Sequence, residues 1–138
     1  MANEVTITTL LGNQGDPVEY TIAEGTLGTN IAKGTIMKIS ASPQTIAAAS
    51  ADGDLIAGVL IEEHKGGTGQ TKIACLTHFV GETYSTTGMT LGQPQKVEGA
   101  NAVTDADDDT IDNKAEACCM SLETNAGTAT TACLWNIG

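Results

Sequence analysis

The sequence predicts an all-β protein: a small β-barrel or sandwich built from two repeated β-modules, preceded by an N-terminal arm or hairpin. Three observations predict it. Apolar and polar residues alternate with a period of two in run after run, as along half-buried strands. Turn signals rich in Gly, Asn and Asp separate the runs at short spacing. The pattern of residues 34–76 also recurs 58 to 60 positions later, in unbroken order.

The elements follow in chain order. Val5-Thr6-Ile7-Thr8 alternates and leads into Leu10-Leu11. After the turn Gly15-Asp16-Pro17, Val18-Glu19-Tyr20-Thr21-Ile22 alternates again. Glu24-Gly25 closes that run, and Thr35-Ile36-Met37-Lys38-Ile39-Ser40 is the next. The alanine-rich segment from Ile46 to Ala51 is too short to stand as a helix and reads as a loop or single turn. Beyond Asp52-Gly53-Asp54, Leu55 to Ile61 is apolar almost throughout, as in a strand buried on both faces. Lys65-Gly66-Gly67-Thr68-Gly69 is a hairpin turn, and Lys72 to Val80 alternates loosely. Gln95-Lys96-Val97-Glu98 is short. Asp109 to Glu116, with acids ahead of an apolar segment, reads as another loop or single turn. Ala115 to Leu122 and Thr130 to Ile137 complete the strands.

The repeat organises these runs. Gly34 to Ile39 corresponds to Gly92 to Val97, and Ala57-Gly58-Val59-Leu60 to Ala117-Cys118-Cys119-Met120. Glu63 corresponds to Glu123, Gly67-Thr68 to Gly127-Thr128, and Cys75-Leu76 to Cys133-Leu134. The expected division is an arm or hairpin over 1–33, a first β-module and linker over 34–91, and a second module over 92–138. One unit has too little interior to be stable alone, so the two are expected to share a core. Residues 1–33 read either as an edge hairpin completing the sheet or as a segment that docks on a partner by strand addition.

Composition narrows the function. The 138 residues include 17 acids and six lysines but no arginine, for a net charge of -11, and only 3% are aromatic. Nucleic-acid binding needs cations for phosphate and arginine or aromatic groups for bases, so it is excluded. An anionic membrane surface would repel the chain, and no apolar run reaches the roughly 18 residues of a membrane span. The first residues carry neither a basic n-region nor an apolar h-region, so no secretory signal is expected. Eight acids and one lysine fall within residues 98–125, which account for -7 of the -11. That acidic surface is expected to face solvent, away from any partner.

No constellation points to catalysis. His64, beside a glycine-rich turn, is expected to be exposed, and His78 to lie on a strand, with no nucleophile elbow near either. Gly66 to Gln70 lacks the Lys-Ser/Thr and helix of a phosphate-binding loop. The Cys-x-x-His of Cys75 and His78 falls on an alternating strand with its two members on opposite sides, so zinc is not expected. The segment from Asp105 to Glu116 places acids at positions 1, 3, 5 and 12 of a calcium loop, but Thr110 stands where that loop needs glycine. The four cysteines read as reduced, buried thiols, with two disulfides the alternative. No metal or cofactor is therefore expected, and the chain is not expected to be an enzyme.

Gly34-Thr35-Ile36-Met37-Lys38-Ile39, the Pro- and Ala-rich loop after it, Asp54-Leu55-Ile56-Ala57-Gly58-Val59-Leu60, Gly67-Thr68-Gly69 and Ile73-Ala74-Cys75-Leu76 together resemble the capsid decoration, or cement, proteins of tailed bacteriophages. The resemblance covers roughly residues 25–80 and reaches 92–137 only through the repeat. It implies a non-catalytic virion protein on the capsid exterior, assembled in the host cytoplasm. The implied partner is the major capsid protein, whose subunits it would bridge as a homotrimer. The N-terminal segment of such proteins reaches onto the capsid, which makes Val5, Ile7, Leu10 and Leu11 the candidate docking residues. The alternatives are a subunit of another self-assembling surface layer or filament, and a calcium-binding β-module.

Overall fold

The structure, a computed structural model, describes residues 3–10, 17–23, 27–106 and 116–137. Eleven strands are present among them: β1 (Thr6–Leu10), β2 (Val18–Ile22), β3 (Ile36–Ile39), β4 (Thr45–Ala48), β5 (Ile56–Leu60), β6 (Lys72–Leu76), β7 (His78–Ser85), β8 (Pro94–Gly99), β9 (Ala102–Asp105), β10 (Cys119–Ser121) and β11 (Ala129–Asn136). The protein is all-β, as the alternation predicts. The acidic segment from Asp107 to Ala115 and the turns at Gly15-Asp16 and Glu24-Gly25 lie outside the described residues.

Strands β2-β4-β3-β5-β6 close into a barrel. The remaining strands run in the order β1-β7-β11-β10-β8-β9, and a parallel pair, Tyr84 opposite Ala102, brings β9 back to β7. Strands β7 to β11 thus repeat the connectivity of β2 to β6. In each set the first strand is parallel to the third and antiparallel to the fifth. The strand grouping therefore divides the chain at Thr77, whereas the expected spans divide it at 33 and 91. Val18–Ile22 belongs to the first barrel and not to an arm.

Hydrogen bonds outside the ladders align the two sets residue by residue. Gly34 N–H donates to Leu60 O and Gly92 N–H to Ser121 O, both near 2.8–2.9 Å. Leu60 N–H reaches Thr35 O as Ser121 N–H reaches Gln93 O, and Ile61 N–H reaches Ala74 O as Leu122 N–H reaches Ala132 O. The isolated bridges Ile31–His64 and Met89–Asn125 also correspond. The offset is therefore 58 through β3 and β8 but 61 at β5 and β10, returning to 58 at β6 and β11. Around β10 the sequence comparison stands one residue out of place, because the acidic loop ahead of it is longer.

Two strands were not expected. Thr45–Ala48 and Ala102–Asp105 are β4 and β9. Alanine is a poor strand former, but β4 is held from both sides, parallel to β2 and antiparallel to β3, with Ile46 wholly buried. Tertiary pairing overrides the local preference.

All of β5 is buried because both its faces are covered. Ala57 and Leu60 line the first barrel with Ile22, Ile31, Met37, Ile46, Ile73 and Cys75. Ile56 and Val59 point the other way, into a cluster shared with Phe79, Val97, Val103 and Trp135 of the second set. Strict alternation cannot put 56 and 59 on one face. A bulge does so: Met37 lies opposite Gly58, but Lys38 lies opposite Ile56. Gly58 has φ +153°, and a β-carbon there would sit 2.8 Å from Cys75 Cβ and 2.9 Å from Leu76 O. Gly58→Ala is therefore expected to cost about 1–3 kcal/mol of stability, read as a lower urea midpoint with an unchanged slope. A midpoint equal to wild type would show that the bulge tolerates a side chain.

Candidate functional site

The N-terminal strand is the element that the sequence singles out for a partner, and the structure shows what it rests on. β1 pairs antiparallel with β7, Thr6 opposite Glu82 and Leu10 opposite Phe79. Ahead of the strand, Val5 N–H donates to Gly34 O at 2.8 Å. Val5 is 4% exposed and sits in the cluster that joins the two modules, with Ile7 half-buried against it. Two glycines make this close approach possible. A β-carbon on Gly34 would collide with the carbonyl oxygen of Val5, and one on Gly81 would meet Val5 Cγ1 at 2.8 Å.

The four candidate docking residues take different places. Val5 and Ile7 face the protein's own interior because alternation turns them toward the shared cluster. Leu10 contributes a ladder position at the end of β1, and Leu11 lies outside the described residues. Glu4, Val5, Thr6, Ile7 and Lys33 line an open cleft of about 350 Å³ beside the strand.

The other singled-out groups also have structural partners. His64 is wholly buried, against expectation. Its Nδ1 lies 3.0 Å from Thr29 O and its Nε2 3.0 Å from Gln70 O, so the ring braces the turn it was expected to leave for solvent. Cys75 and His78 stand on β6 and β7, in different modules. All four cysteines are free and buried. Burial pushes the Cys75 thiol up to about 12 and raises Cys119 well above the ordinary thiol value. A hydrogen bond from Cys119 holds Cys133 below it, against the opposing effect of burial. Among the described residues no three metal-ligating side chains come together.

Several acids are tied into the fold. Burial pushes the Asp54 carboxyl up, but the N–H groups of Ser50 and Ala51 and the Lys38 ammonium at 3.5 Å outweigh it and hold the group below its ordinary value. Burial likewise raises Asp105, while bonds from Gln95 and Thr90 bring it below the ordinary value. Lys96 reaches Asp52 of the first module at 3.1 Å and Glu116 at 4.0 Å. Parts of the acidic stretch 98–125 are therefore engaged within the molecule.

Met120 and Leu122 of that stretch belong to a surface the sequence reading missed. Pro94, Met120 and Leu134 lie side by side across β8, β10 and β11, on the outward face of the sheet. Met120 is exposed and the other two are half-buried. Leu122, two residues on from Met120, is exposed, as is Leu91, whose neighbour Gly92 donates to Ser121 O. Correct alignment of the repeat would have revealed it, since its members correspond to Ile36, Val59 and Leu76.

No protein-family model matches the chain, and no curated protein sequence matches it. The fold is similar to that of the head fiber gp8.5 N base of bacteriophage phi29, seen in its crystal structure, with a TM-score of 0.56 and 10% sequence identity. The likeness covers 88% of this chain and 93% of that one.

Proposed function

We propose that the chain is a non-catalytic structural protein of a phage head, bound to the outer surface of the capsid and bridging neighbouring subunits of the major capsid protein. The observation that supports this reading most is the extent of the fold likeness. Nearly the whole of both chains is matched, so the likeness to a protein of the phi29 head fiber extends over both modules. The sequence resemblance to capsid decoration proteins points the same way from different data. The net charge of -11 keeps many copies soluble before assembly. Val5 and Ile7 belong to the interior, so contact with the shell falls to residues outside the N-terminal strand's inner face.

Co-sedimentation tests the proposal. Purified protein is mixed with capsid shells of its own phage prepared without it. Saturable binding is expected, together with a higher temperature of shell disruption. No binding across a wide range of salt overturns the reading.

A further inference from the structure

The contact between the two modules has two halves, and each half has a counterpart that the chain leaves uncovered. On the first module the contact face is the row Ile36–Val59–Leu76 across β3, β5 and β6. All three side chains are buried in the shared cluster. The corresponding row on the second module is Pro94–Met120–Leu134, across β8, β10 and β11. There Met120 is 37% exposed, and Leu122, the counterpart of half-buried Ile61, is 36% exposed. The same face is thus covered on the first module and open on the second.

The reciprocal holds for the other half. The second module brings its β8–β9 hairpin to the contact: Val97 is wholly covered, and Asn101 Oδ1 accepts the Ile36 N–H at 2.9 Å. The counterparts on the β3–β4 hairpin of the first module are Ile39 and Gln44. Gln44 shares the unusual backbone of Asn101, φ 51° against 55°. Both counterparts are exposed. Ile39 is 53% exposed, and its N–H bonds to the carbonyl of Leu55, which is 53% exposed as well.

We propose that a second copy of the chain covers the open row, its first module seated through Ile39 and Leu55 on Met120 and Leu122 as the second module seats on the first within one chain. Complementary halves at opposite ends of a molecule make a heterologous contact, which closes into a ring or runs on as a filament. A twofold pairing of two open rows would instead set Glu82, opposite Ala132 at the margin of the row, against its own copy. The inference goes beyond the capsid-binding reading and does not depend on it.

Sedimentation of the full chain tests it. The wild type is expected to exceed the 14.1 kDa of one chain. Met120→Glu with Leu122→Glu blocks the row, and Ile39→Glu with Leu55→Glu blocks the opposite end. All four side chains are exposed, and melting curves with Trp135 fluorescence check that each variant is folded. Each double variant alone is expected to be monomeric. Mixed in equal amounts, the two keep one good half apiece and are expected to form a dimer. A wild type that remains monomeric at about 100 μM, double variants that assemble like wild type, or a mixture that stays monomeric overturns the proposal. A variant blocked at the row that loses only shell binding, from a monomeric wild type, overturns it too and assigns the row to the shell. Unlimited fibres uphold the contact and count against the decoration role. Failure of the wild type to bind shells removes that role alone.

Discussion

Trp135→Ala is expected to cost about 3–5 kcal/mol, a large part of the roughly 5–15 kcal/mol that holds a domain of this size together. Trp135 is wholly buried in the cluster shared by the modules. Its ring stacks on Phe79, with centroids 5.5 Å apart and planes 7° from parallel. The two lie directly opposite on β11 and β7, so the stack pins the longest ladder among the described residues. The indole N–H donates to Thr83 Oγ1 at 3.0 Å, and Thr83 is itself buried. Alanine removes the stack, opens a cavity and takes away that donor. Trp135→Phe keeps most of the burial and is expected to cost about 1–2 kcal/mol. Urea unfolding followed by far-ultraviolet circular dichroism measures both, since Trp135 is the only tryptophan. An alanine variant within about 1 kcal/mol of wild type would mean that the second module does not depend on this stack.

Gly34→Ala is expected to release the N-terminal strand, at a cost of about 3 kcal/mol or more. The new methyl group would strike the carbonyl oxygen of Val5, a backbone atom that cannot swing aside, at a residue whose φ is +89°. The hydrogen bond from Val5 N–H to Gly34 O shares the same contact. Val5→Ala removes only side-chain packing and is expected to cost less, about 1–2 kcal/mol. Hydrogen exchange separates the two cases. In Gly34→Ala the amides of Thr6 to Leu10 should lose protection as a block, whereas in Val5→Ala they should keep most of it. Retained protection in Gly34→Ala would show that β1 holds to β7 without its seat. Removal of residues 2–11 takes away both Val5 and β1 and is expected to destabilise the fold as well.

The all-β architecture and its doubling were legible because both rest on local pattern. Alternation in Val18–Ile22 and Ile36–Ile39 is a direct consequence of strand pleat. The unbroken apolar run around Val59 signalled burial on both faces, and that is how β5 is placed. What could not be read depends on pairing. Thr45–Ala48 is a strand because β2 and β3 flank it, not because alanine favours one. His64 looked exposed beside its glycines, yet the chain folds Thr29 and Gln70 around it. Val5 and Ile7 are apolar for a reason the sequence shows, but whether they meet a partner or the protein's own interior depends on a contact with Gly34 and Gly81. Sequence distance hides that contact. The outward row at Met120 was masked by a one-residue misalignment, which turns a strand over.

The pairing of β1 with β7 also has a consequence during synthesis. Thr6 leaves the ribosome early, but Glu82, its ladder partner, follows only after the whole first barrel has been made. Until then the leading strand has nowhere to sit, and the apolar face formed by Ile36, Val59 and Leu76 has no cover. Translation thus produces a closed barrel with an unpaired β1 and an uncovered apolar flank, a species prone to capture by chaperones or by neighbouring nascent chains. The last strand, Ala129–Asn136, must arrive before β7 is held on both sides. Strands β1 and β11 are therefore the last to become secure, and removal of either should lower the yield of soluble protein far more than an equal change in an exposed loop.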